Sequence, residues 1–562
     1  MHLVPRTIVS RNRSIRNSQR FKCLKKELSS YKNSNGNGYS VPSWATIDPE
    51  QLSESNPHEV LNFLDGKWMK SKTSKFYPDP LNGKEFSSVS EISVKEIEPF
   101  VNSLNSCPKS GLHNPFKNPE RYVDYGTVSA LASAEMRKPD VEKFFARLIQ
   151  RVAPKSYKQA QGEVIVTRKF LENFSGDSVR YLARSFSNPG DHEGQTSSGY
   201  RWPYGPVAVI SPFNFPLEIP LLQVMGALYM GNKVLYKGDS RVSVVMEQAL
   251  KMLHSCGMPV KDLDMINCQG SVMQALLESA QPRMTQFTGS TKIGEILSNA
   301  LGGRIKLEDS GLDWKILGPD VGNIEYTAWV CDQDAYAFSG QKCSAQSLLF
   351  VHENWVKAGL FEKLAFLAKR RNLEELTNVP VLTVNTETGM KHIEDLMKIN
   401  GTRIIFGGKP LNNKNIPACY GAWEPTAIFV PISELLKDEN FSICMQEIFG
   451  PTQIVTQYDD ESLELVLNAC EKLAAHLTAS VVSSDRSFQL KVLANTINGV
   501  TYCGQRARTT GAPQNHWFGP AGDPRSAGIG TREAIRMVWS CHREIVMDEQ
   551  SIPNNWTIPS AT

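Results

Sequence analysis

At 562 residues the chain is too long for a single hydrophobic core, so two or three domains are expected. Hydrophobic residues make up 41% and charged residues 21%, an ordinary globular composition that excludes a fibrous or wholly disordered protein. Residues 1–40 hold nine Lys or Arg and one acid, so the net charge of +3 leaves about −5 for the remainder, which predicts no nucleic-acid-binding surface.

The first 40 residues are rich in Arg and Ser and almost free of acidic side chains. This composition predicts an organellar transit peptide, followed by a Ser-, Asn- and Gly-rich linker over 27–45. The alternative is a basic tail without an import function. Arg dominates from residue 6 onward, which favours the mitochondrial matrix over a plastid.

The 11 cysteines are dispersed and form no Cys-x-x-Cys pair. They predict neither a zinc site nor a disulfide framework, and they favour a reducing compartment. No metal is therefore expected. The most apolar stretch, 206–231, is interrupted by prolines and polar residues, so no membrane insertion is predicted.

Before residue 204 the sequence is informative mainly about secondary structure. Apolar spacing predicts helices over 52–64, 140–152 and 162–182. The Ser-, Gly- and Asn-rich residues 185–203 end that pattern. No chemical role follows for residues 46–160.

Residues 207–308 alternate short apolar strands with helices. The strands are predicted at 207–211, 233–236, 264–267, 284–287 and 304–308, and the helices at 218–230, 243–254, 271–279 and 290–301. This alternation predicts an α/β fold with a doubly wound parallel sheet. Such sheets bind ligands at the carboxyl ends of their strands.

A second alternating run predicts a second α/β domain. Its strands are predicted at 348–351, 403–406, 453–456, 479–483 and 499–502, and its helices near 355–369, 461–475 and 486–496. Residues 537–546 alternate weakly and are predicted to form an edge strand used between subunits.

Four short motifs follow one another along the chain: SPFNFP at 211–216, FTGST at 287–291, FSGQKCS at 338–344 and EIFGP at 447–451. Taken singly, each candidate catalytic residue also has a non-catalytic interpretation. Cys343 is then an inert buried thiol, Asn214 a turn residue, and Glu308 a solvated carboxylate. Together and in this order they resemble the aldehyde dehydrogenase superfamily, over roughly residues 160–546.

The resemblance implies a cofactor domain that contains the doubly wound sheet and is formed by residues 45–183 and 204–307. It implies a catalytic α/β domain over 308–530. A small β oligomerisation element would come from residues 184–203 and 535–556, and the protein would be a homo-oligomer.

For the chemistry, the resemblance implies Cys343 as nucleophile, with the Asn214 amide and the Cys343 backbone N–H as oxyanion donors. Glu308 would be the base that activates water. Its presence argues against the branch of the family that transfers an acyl group to coenzyme A. Asp309 departs from the family pattern, and this second carboxylate either raises the pKa of Glu308 or points to solvent.

The implied cofactor is a nicotinamide dinucleotide. Gly289 and Ser290 lie at a predicted strand-to-helix junction, where free N–H groups and the helix dipole attract a pyrophosphate. A plain Ser N-cap is the alternative. By resemblance the other cofactor contacts are Ser211, Phe213, Lys237, Phe287, Gly294, Glu447 and Phe449. Ser240 stands where many NAD-using members carry Glu, and because a Ser would not repel a 2′-phosphate, NADP is not excluded. NAD is preferred from the resemblance to the branch of the superfamily that oxidises glutamate semialdehyde.

Residues 504–530 are similar to the branch of the superfamily that oxidises glutamate semialdehyde, a substrate with an aldehyde and a carboxylate. Free N–H groups of Gly519, Ala521 and Gly522 are predicted to form an anion-binding nest, to which Ser344 adds a hydroxyl. The alternative is a mobile surface loop. Arg506 and Arg508 either assist an anionic substrate or are solvated.

The resulting prediction is NAD-dependent oxidation of L-glutamate 5-semialdehyde, which is in equilibrium with delta-1-pyrroline-5-carboxylate, to L-glutamate in proline catabolism. The reaction would pass through a thiohemiacetal and a thioester on Cys343. A dehydrogenase of another aldehyde and a non-catalytic protein on the same fold are the alternatives. A cysteine hydrolase is disfavoured because no nearby His would activate the thiol.

Overall fold

The computed structural model describes residues 40–309, 311–511 and 516–562. The predicted transit peptide, apart from residue 40, lies outside the described residues. Within the described ranges, no helix combines the length and apolarity needed to cross a bilayer.

The strands are numbered in chain order. They are β1 (His58–Val60), β2 (Asn62–Leu64), β3 (Lys67–Met69), β4 (Thr73–Pro78), β5 (Glu85–Glu91), β6 (Ser187–Pro189), β7 (Gln195–Pro203), β8 (Pro206–Ile210), β9 (Lys233–Lys237), β10 (Leu263–Met265), β11 (Met284–Gly289), β12 (Ile305–Asp309), β13 (Asp313–Leu317), β14 (Gln346–His352), β15 (Arg403–Phe406), β16 (Thr426–Phe429), β17 (Thr452–Tyr458), β18 (Thr478–Val482), β19 (Val500–Cys503) and β20 (Ser540–Asp548).

The α-helices are numbered in the same way. They are α1 (Glu98–Asn105), α2 (Glu120–Met136), α3 (Pro139–Val152), α4 (Tyr157–Asn173), α5 (Glu218–Tyr229), α6 (Ser243–Ser255), α7 (Gly270–Ala280), α8 (Thr291–Ala300), α9 (Ile324–Tyr336), α10 (Glu353–Lys357), α11 (Leu360–Lys369), α12 (Thr386–Leu396), α13 (Ile432–Leu435), α14 (Asp438–Cys444), α15 (Leu463–Lys472), α16 (Arg486–Ala494) and α17 (Arg532–Trp539).

The first large sheet confirms the predicted doubly wound architecture. Its strand order is β12-β11-β8-β9-β10-β2-β3. All neighbours from β12 to β10 are parallel, whereas β2 and β3 extend the sheet in antiparallel fashion. Each strand predicted between residues 207 and 308 overlaps an observed one. The order reverses at β8, so the loops after β8 and β11 meet at the carboxyl edge.

The second large sheet has the order β15-β16-β17-β14-β13-β18-β19. Its neighbours are parallel except for β15, which runs antiparallel to β16. The central strand β13 was not predicted from the sequence. Asp313 and Lys315 interrupt its apolar pattern, yet both are buried, and Lys315 pairs with Asp334 at 2.8 Å. The division of the chain into cofactor and catalytic domains remains a prediction.

Two small sheets complete the fold, with orders β1-β5-β4 and β20-β7-β6. Strands β7 and β20 pair antiparallel along their whole length, from Pro203 opposite Ser540 to Gln195 opposite Asp548. The chain thus brings together the two segments that were predicted to form one oligomerisation element. Their use between subunits stays a prediction.

The helix predicted over 52–64 is wrong, because this segment contains β1 and β2. Sheet pairing overrides the helical spacing. The Asn62 side chain donates to Ser90 O at 2.9 Å and accepts the Asn267 N–H at 2.7 Å, which fastens β2 between neighbouring segments. The helix predicted over 140–152 is confirmed by α3.

Two other helix predictions were too long. The segment 162–182 is helical only up to Asn173, after which Gly176 (φ 57°) and two 3-10 turns follow. The segment 355–369 forms two helices, α10 and α11, separated by Gly359 (φ 86°). Gly359 with its positive φ breaks the helical path between α10 and α11. Helix α4 instead ends at its C-cap Phe174 (φ −110°), two residues before Gly176.

Helix α5 is buried on every side. It packs against α4, β8, β9 and α17, and only its N-cap residue, Leu217, separates it from the SPFNFP motif. A helix that is apolar all round belongs to the interior of a large protein. The packing of α5 therefore fixes the turn that carries Asn214.

The Leu222→Ala substitution is expected to lower the free energy of unfolding by about 2–5 kcal/mol, because Leu222 in α5 is 2% exposed and its removal leaves a cavity. Leu490→Ala on α16 is the control, since Leu490 is 50% exposed and its loss is expected to cost less than about 1 kcal/mol. Urea unfolding of both variants measures the difference. Equal destabilisation would contradict the placement of α5 in the core.

Candidate active site

Cys343 lies in a turn between the 3-10 segment Ala337–Gly340 and β14. Phe338 (φ 57°), Ser339 (φ 50°) and Gly340 (φ 71°) all adopt left-handed backbone conformations. Such a conformation costs a residue other than glycine about 1–3 kcal/mol and is found preferentially at functional sites. The surrounding structure must therefore hold this turn in place.

The extended segment 378–382 supplies that support. Ser339 Oγ accepts the N–H of Val379 at 2.7 Å, and Gln341 Oε1 accepts the N–H of Leu382 at 2.8 Å. These buried bonds fix the backbone immediately before Cys343 and thereby orient its thiol.

Two cavities meet at this thiol, the first of about 540 Å³ and the second of about 740 Å³. Ile219, Glu308 and Cys343 line both. Predicted site residues on the first cavity are Ser211, Phe213, Asn214, Lys237, Phe287, Gly289, Ser290, Glu447 and Phe449. Polar residues on the second cavity include Lys155, Lys158, Glu163, Glu218, Lys342, Ser344, Arg508 and Thr510.

Glu308 lies in β12 and is 3% exposed. Both carboxyl oxygens are buried, and the Cys343 thiol lies close enough to donate to this carboxyl. Burial raises the pKa of Glu308 to about 7; the contact with the Cys343 thiol opposes this rise, and the charge of Asp309 adds to it. Burial and the Glu308 carboxyl together raise the pKa of the Cys343 thiol above its usual range. The carboxyl can therefore exchange a proton near neutral pH beside the predicted nucleophile.

Asn214 lies in the turn after β8 and is 2% exposed. Its backbone carbonyl accepts a hydrogen bond from Lys155 Nζ at 2.6 Å, which fixes the turn. The side-chain Oδ1 is buried without a partner among the described residues. The amide is thus not committed to a structural network, as expected of a group that donates to a ligand.

The β11–α8 junction forms one wall of the first cavity. A Cβ atom on Gly289 would lie 2.5 Å from the Phe287 ring, so a side chain has no room there. Ser290 is the N-cap residue of α8, but its hydroxyl makes no capping hydrogen bond. The free N–H groups of the first helical turn and this hydroxyl therefore suit an anionic group such as a phosphate.

Gly294, predicted as a cofactor contact, does not line the first cavity. Its N–H donates to Ser290 O at 3.0 Å within α8. A Cβ atom there would lie 3.3 Å from Leu307 and 3.5 Å from Asp309, so the glycine permits close packing of α8 on β12. Asp309 points toward this helix, and burial raises its pKa to about 6.

Another wall of the first cavity is cationic. Lys237 ends β9, and Arg241 was not predicted. The Arg241 guanidinium donates to Asp239 Oδ2 at 2.6 Å and lies 5.0 Å from the centroid of the Phe213 ring. Arg241 is therefore partly neutralised by Asp239.

Glu447 and Phe449 reach the first cavity from the loop between α14 and β17. Glu447 Oε1 accepts the Gly311 N–H at 3.2 Å, and burial raises the pKa of Glu447 to about 7. The Phe449 ring meets Phe213 edge-on with centroids 6.1 Å apart. Loops from both large sheets thus enclose this cavity.

Over residues 130–542 the chain matches the model of the aldehyde dehydrogenase family. It belongs to the aldehyde dehydrogenase family.

A relative named mitochondrial delta-1-pyrroline-5-carboxylate dehydrogenase 12A1, from Arabidopsis thaliana, is 60% identical over 525 residues, which cover 93% of this chain and 94% of the relative. Among solved structures, the NAD⁺ complex of betaine aldehyde dehydrogenase from Staphylococcus aureus superposes with a TM-score of 0.74, at 18% identity and with 91% of this chain and 98% of that chain covered. NADP-dependent glyceraldehyde-3-phosphate dehydrogenase from Bacillus halodurans C-125, complexed with NADP, also gives 0.74, at 21% identity and with 87% and 99% covered. The two structures share the fold.

As an aldehyde dehydrogenase, the protein is an oxidoreductase of a family that uses NAD or NADP. The first cavity fits such a cofactor. At Gly289 no side chain blocks the approach of a ligand to the backbone. Gly289, the free N–H groups of α8 and the Lys237 ammonium lie along one continuous cavity that extends to Cys343.

The second cavity of this aldehyde dehydrogenase has a wall of hydroxyl and cationic groups. Ser344 Oγ lies 3.4 Å from Thr510 Oγ1, to which Lys342 Nζ donates at 3.2 Å. Burial lowers the pKa of Lys342 to about 7, although Asp334 opposes this. Arg508 donates twice to Asp334 Oδ1, at 2.9 and 3.0 Å. Ser344, Thr510 and Lys342 on this wall suit an anionic group, whereas the charge of Arg508 is partly neutralised by Asp334.

The predicted anion-binding nest does not lie at this cavity. Gly519, Ala521 and Gly522 do not line it, and the Ala521 N–H is bonded to His476 O at 3.1 Å. The bridge between Phe518 and Ile529 places those two residues at the cavity and turns the intervening loop toward β12. Instead, Arg508, Thr510 and Gly511 of the same stretch line the cavity, and the Arg508 side chain remains partly exposed.

The sequence analysis missed Lys155, Glu163 and Glu218 of the second cavity. Lys155 and Glu163 pair at 3.0 Å and are almost fully buried. The available signal was a charged residue within an otherwise apolar helix face, which is rare without a partner. Within the part of the chain that the structure describes, no group of His, Cys, Asp and Glu is arranged to hold a metal ion.

The rate of aldehyde oxidation is expected to fall as the pH drops below about 7, because the Glu308 carboxyl, with a pKa of about 7, then becomes protonated and cannot act as a base. The Glu308→Gln variant is expected to lose at least about 100-fold in kcat and to lack this limb of the pH profile. The pH dependence of kcat in both proteins is the measurement. The Glu447→Gln variant serves as the control. If the fall in kcat at low pH persists in Glu308→Gln but disappears in Glu447→Gln, the titrating carboxyl is Glu447 and the assignment to Glu308 is wrong.

Proposed function

We propose that this aldehyde dehydrogenase oxidises L-glutamate 5-semialdehyde to L-glutamate with NAD in the mitochondrial matrix, as the final step of proline catabolism. The observation that carries the proposal is the 60% identity, along 93% of the chain, to an enzyme named for delta-1-pyrroline-5-carboxylate. That compound is the cyclic form with which the semialdehyde is in equilibrium.

In the proposed reaction, the Cys343 thiol loses its proton to the Glu308 carboxylate and its sulfur attacks the aldehyde carbon. A C–S bond forms, and the carbonyl oxygen becomes an oxyanion. The Asn214 side-chain amide and the Cys343 backbone N–H donate hydrogen bonds to it. Asn214 and Glu308 are buried and Cys343 is half-buried, which limits competition from bulk water and strengthens these interactions.

A bound nicotinamide supplies the acceptor for the hydride that leaves the former aldehyde carbon, so the adduct on Cys343 becomes a thioester. Glu308 first passes the proton taken from Cys343 to solvent, and its carboxylate then removes a proton from water, whose oxygen attacks the thioester carbon. The C–S bond breaks, the acid is released, and the Cys343 sulfur takes the proton from Glu308 to regenerate the thiol. The pKa of about 7 makes Glu308 a base in neutral solution and an acid that can pass its proton on.

For the substrate carboxylate, the wall of the second cavity formed by Ser344, Thr510, Lys342 and Arg508 is the proposed site. Ser344 adjoins the nucleophile, so its distance from the reacting carbon is fixed. This assignment replaces the predicted nest at Gly519, Ala521 and Gly522 as the substrate site.

NAD is the proposed cofactor, although Ser240 carries no charge that would repel a 2′-phosphate. The Arg241 guanidinium is paired with Asp239 and is therefore a poor partner for such a phosphate. Gly294 contributes only by allowing α8 to pack closely. The contacts of Ser211, Phe213, Lys237, Phe287, Gly289, Ser290, Glu447 and Phe449 with the cofactor are part of the proposal.

The proposed location rests on the composition of residues 1–40 and on the Arabidopsis relative, whose name is that of a mitochondrial protein. The proposed assembly is a homo-oligomer that uses the sheet β20-β7-β6. The proposed domains are 45–183 with 204–307 for the cofactor, 308–530 for catalysis, and 184–203 with 535–556 for oligomerisation.

The purified protein is expected to reduce NAD with delta-1-pyrroline-5-carboxylate at a kcat/KM well above that for propanal, and to prefer NAD to NADP. The measurement is nicotinamide absorbance with each substrate and each cofactor. The kcat of the Cys343→Ala variant is expected to be more than about 1,000-fold lower with every combination of substrate and cofactor, because no nucleophile remains. Equal or better turnover of propanal would contradict the assignment of delta-1-pyrroline-5-carboxylate as the substrate. A preference for NADP would contradict the assignment of NAD as the cofactor.

The Ser344→Ala substitution is expected to raise KM for delta-1-pyrroline-5-carboxylate about tenfold and to leave KM for propanal unchanged, since a hydrogen bond to a charged group is lost only with the former. Ser347→Ala, three residues further along the chain, is the matched control because Ser347 does not line the second cavity. Steady-state kinetics with both substrates measures the effect. An equal change for the two substrates would argue against a carboxylate contact.

A further inference from the structure

Glu218 has no role in the reaction described so far. It is the first residue of α5, lines the second cavity and is 8% exposed. Within the described ranges, its carboxyl forms no hydrogen bond and no ion pair. A buried carboxyl without such a partner is costly unless a ligand supplies one.

The neighbouring carboxylate Glu163 is already committed. Its Oε2 pairs with Lys155 at 3.0 Å, and its Oε1 accepts the backbone N–H groups of Leu217 and Glu218 at 2.9 and 3.3 Å. Glu218 is therefore the carboxyl on this wall that remains available to a molecule in the cavity.

Several charged groups surround Glu218. Burial raises the pKa of Glu218 to about 8, Glu163 and Glu308 add to the rise, and Lys155 opposes it. The Glu218 carboxyl in turn contributes to raising the pKa of the Cys343 thiol, so it lies within electrostatic reach of the nucleophile. In the empty cavity at neutral pH, Glu218 is mostly protonated, and a cation placed against it would favour the ionised form.

The second cavity therefore has walls of opposite character. Lys342, Arg508 and Lys158 provide cationic groups, and Glu218 lies on the wall formed by α5. An amino acid presents a carboxylate and an ammonium on one carbon. In glutamate semialdehyde that carbon is three C–C bonds, roughly 4 Å, from the aldehyde carbon.

We propose that Glu218 binds the α-ammonium group of the substrate and is thereby a specificity-determining residue of this enzyme. The inference rests on the proposed function, because it requires an amino-acid aldehyde as substrate. The contact of Glu218 with the ammonium would distinguish this substrate from aldehydes that carry the carboxylate but lack the amine. An enzyme rejects such an analogue strongly when binding it leaves a buried polar group without its partner.

The first test compares glutamate semialdehyde with 5-oxopentanoate, the same molecule without the amino group, in wild-type and Glu218→Gln enzymes. The wild type is expected to favour glutamate semialdehyde in kcat/KM. Glu218→Gln is expected to reduce this ratio about 10- to 100-fold, the range for losing a hydrogen bond between charged groups. Glu278→Gln, at an exposed carboxylate on α7, is the control and should leave the ratio unchanged.

Three outcomes separate the possibilities. A reduced ratio in Glu218→Gln alone supports the ammonium contact. An unchanged ratio overturns the ammonium contact. An equal loss of kcat/KM with both substrates also overturns it, since that is the result expected if Glu218 only exchanges protons with Glu308. A wild type that does not turn over glutamate semialdehyde contradicts the proposed function itself, and the two failures are therefore distinguishable.

Equilibrium binding gives a second test that needs no turnover. L-Glutamate is expected to bind the wild type more tightly than glutarate and to release close to one proton near pH 7, because the ammonium ionises Glu218. Titration calorimetry in buffers of different ionisation enthalpy measures that proton. Glu218→Gln should bind the two ligands alike and release none; the same proton release in wild type and variant would refute the assignment.

Discussion

The buried ion pair between Lys155 and Glu163 connects the parts of this active site. Lys155 also donates to the carbonyl of Asn214, and Glu163 also accepts N–H groups at the start of α5. One pair therefore fixes the turn that carries the predicted oxyanion donor and the helix that begins with Glu218. Removing one partner of a buried pair typically costs about 3–5 kcal/mol, because the other charge is left uncompensated. The arrangement of the reacting groups depends on that constraint.

Burial controls the chemistry of the site more than ion pairing does. Glu308, Glu447 and Glu218 all have raised pKa values, and in each case loss of hydration is the largest cause. Carboxyls of this kind gain or lose a proton near neutral pH at little cost. The two cavities meet where Glu308 and Cys343 are shared, so a proton-exchanging group lies beside both of them.

Much of the fold could be predicted from periodicity, and the failures have local causes. Strands between 207 and 308 are continuous apolar runs because helices cover both faces of the sheet. The segment 52–64 has apolar spacing compatible with a helix, and only pairing with β5 and β10 makes it extended. Strand β13 was missed because Lys315 interrupts it, and the partner that makes this buried lysine tolerable, Asp334, is supplied by the following helix, α9.

The sequence alone determined the family, the order of its motifs and the candidates Cys343, Asn214 and Glu308, because these occupy short motifs of fixed composition. Only the tertiary structure decided which side chains reach each cavity. It turned Gly519, Ala521 and Gly522 away from the second cavity and brought Arg508 and Glu218 to it. The exposure of a side chain, its pKa and the direction in which it points depend on neighbours that are far apart in the chain. No local sequence pattern encodes these properties.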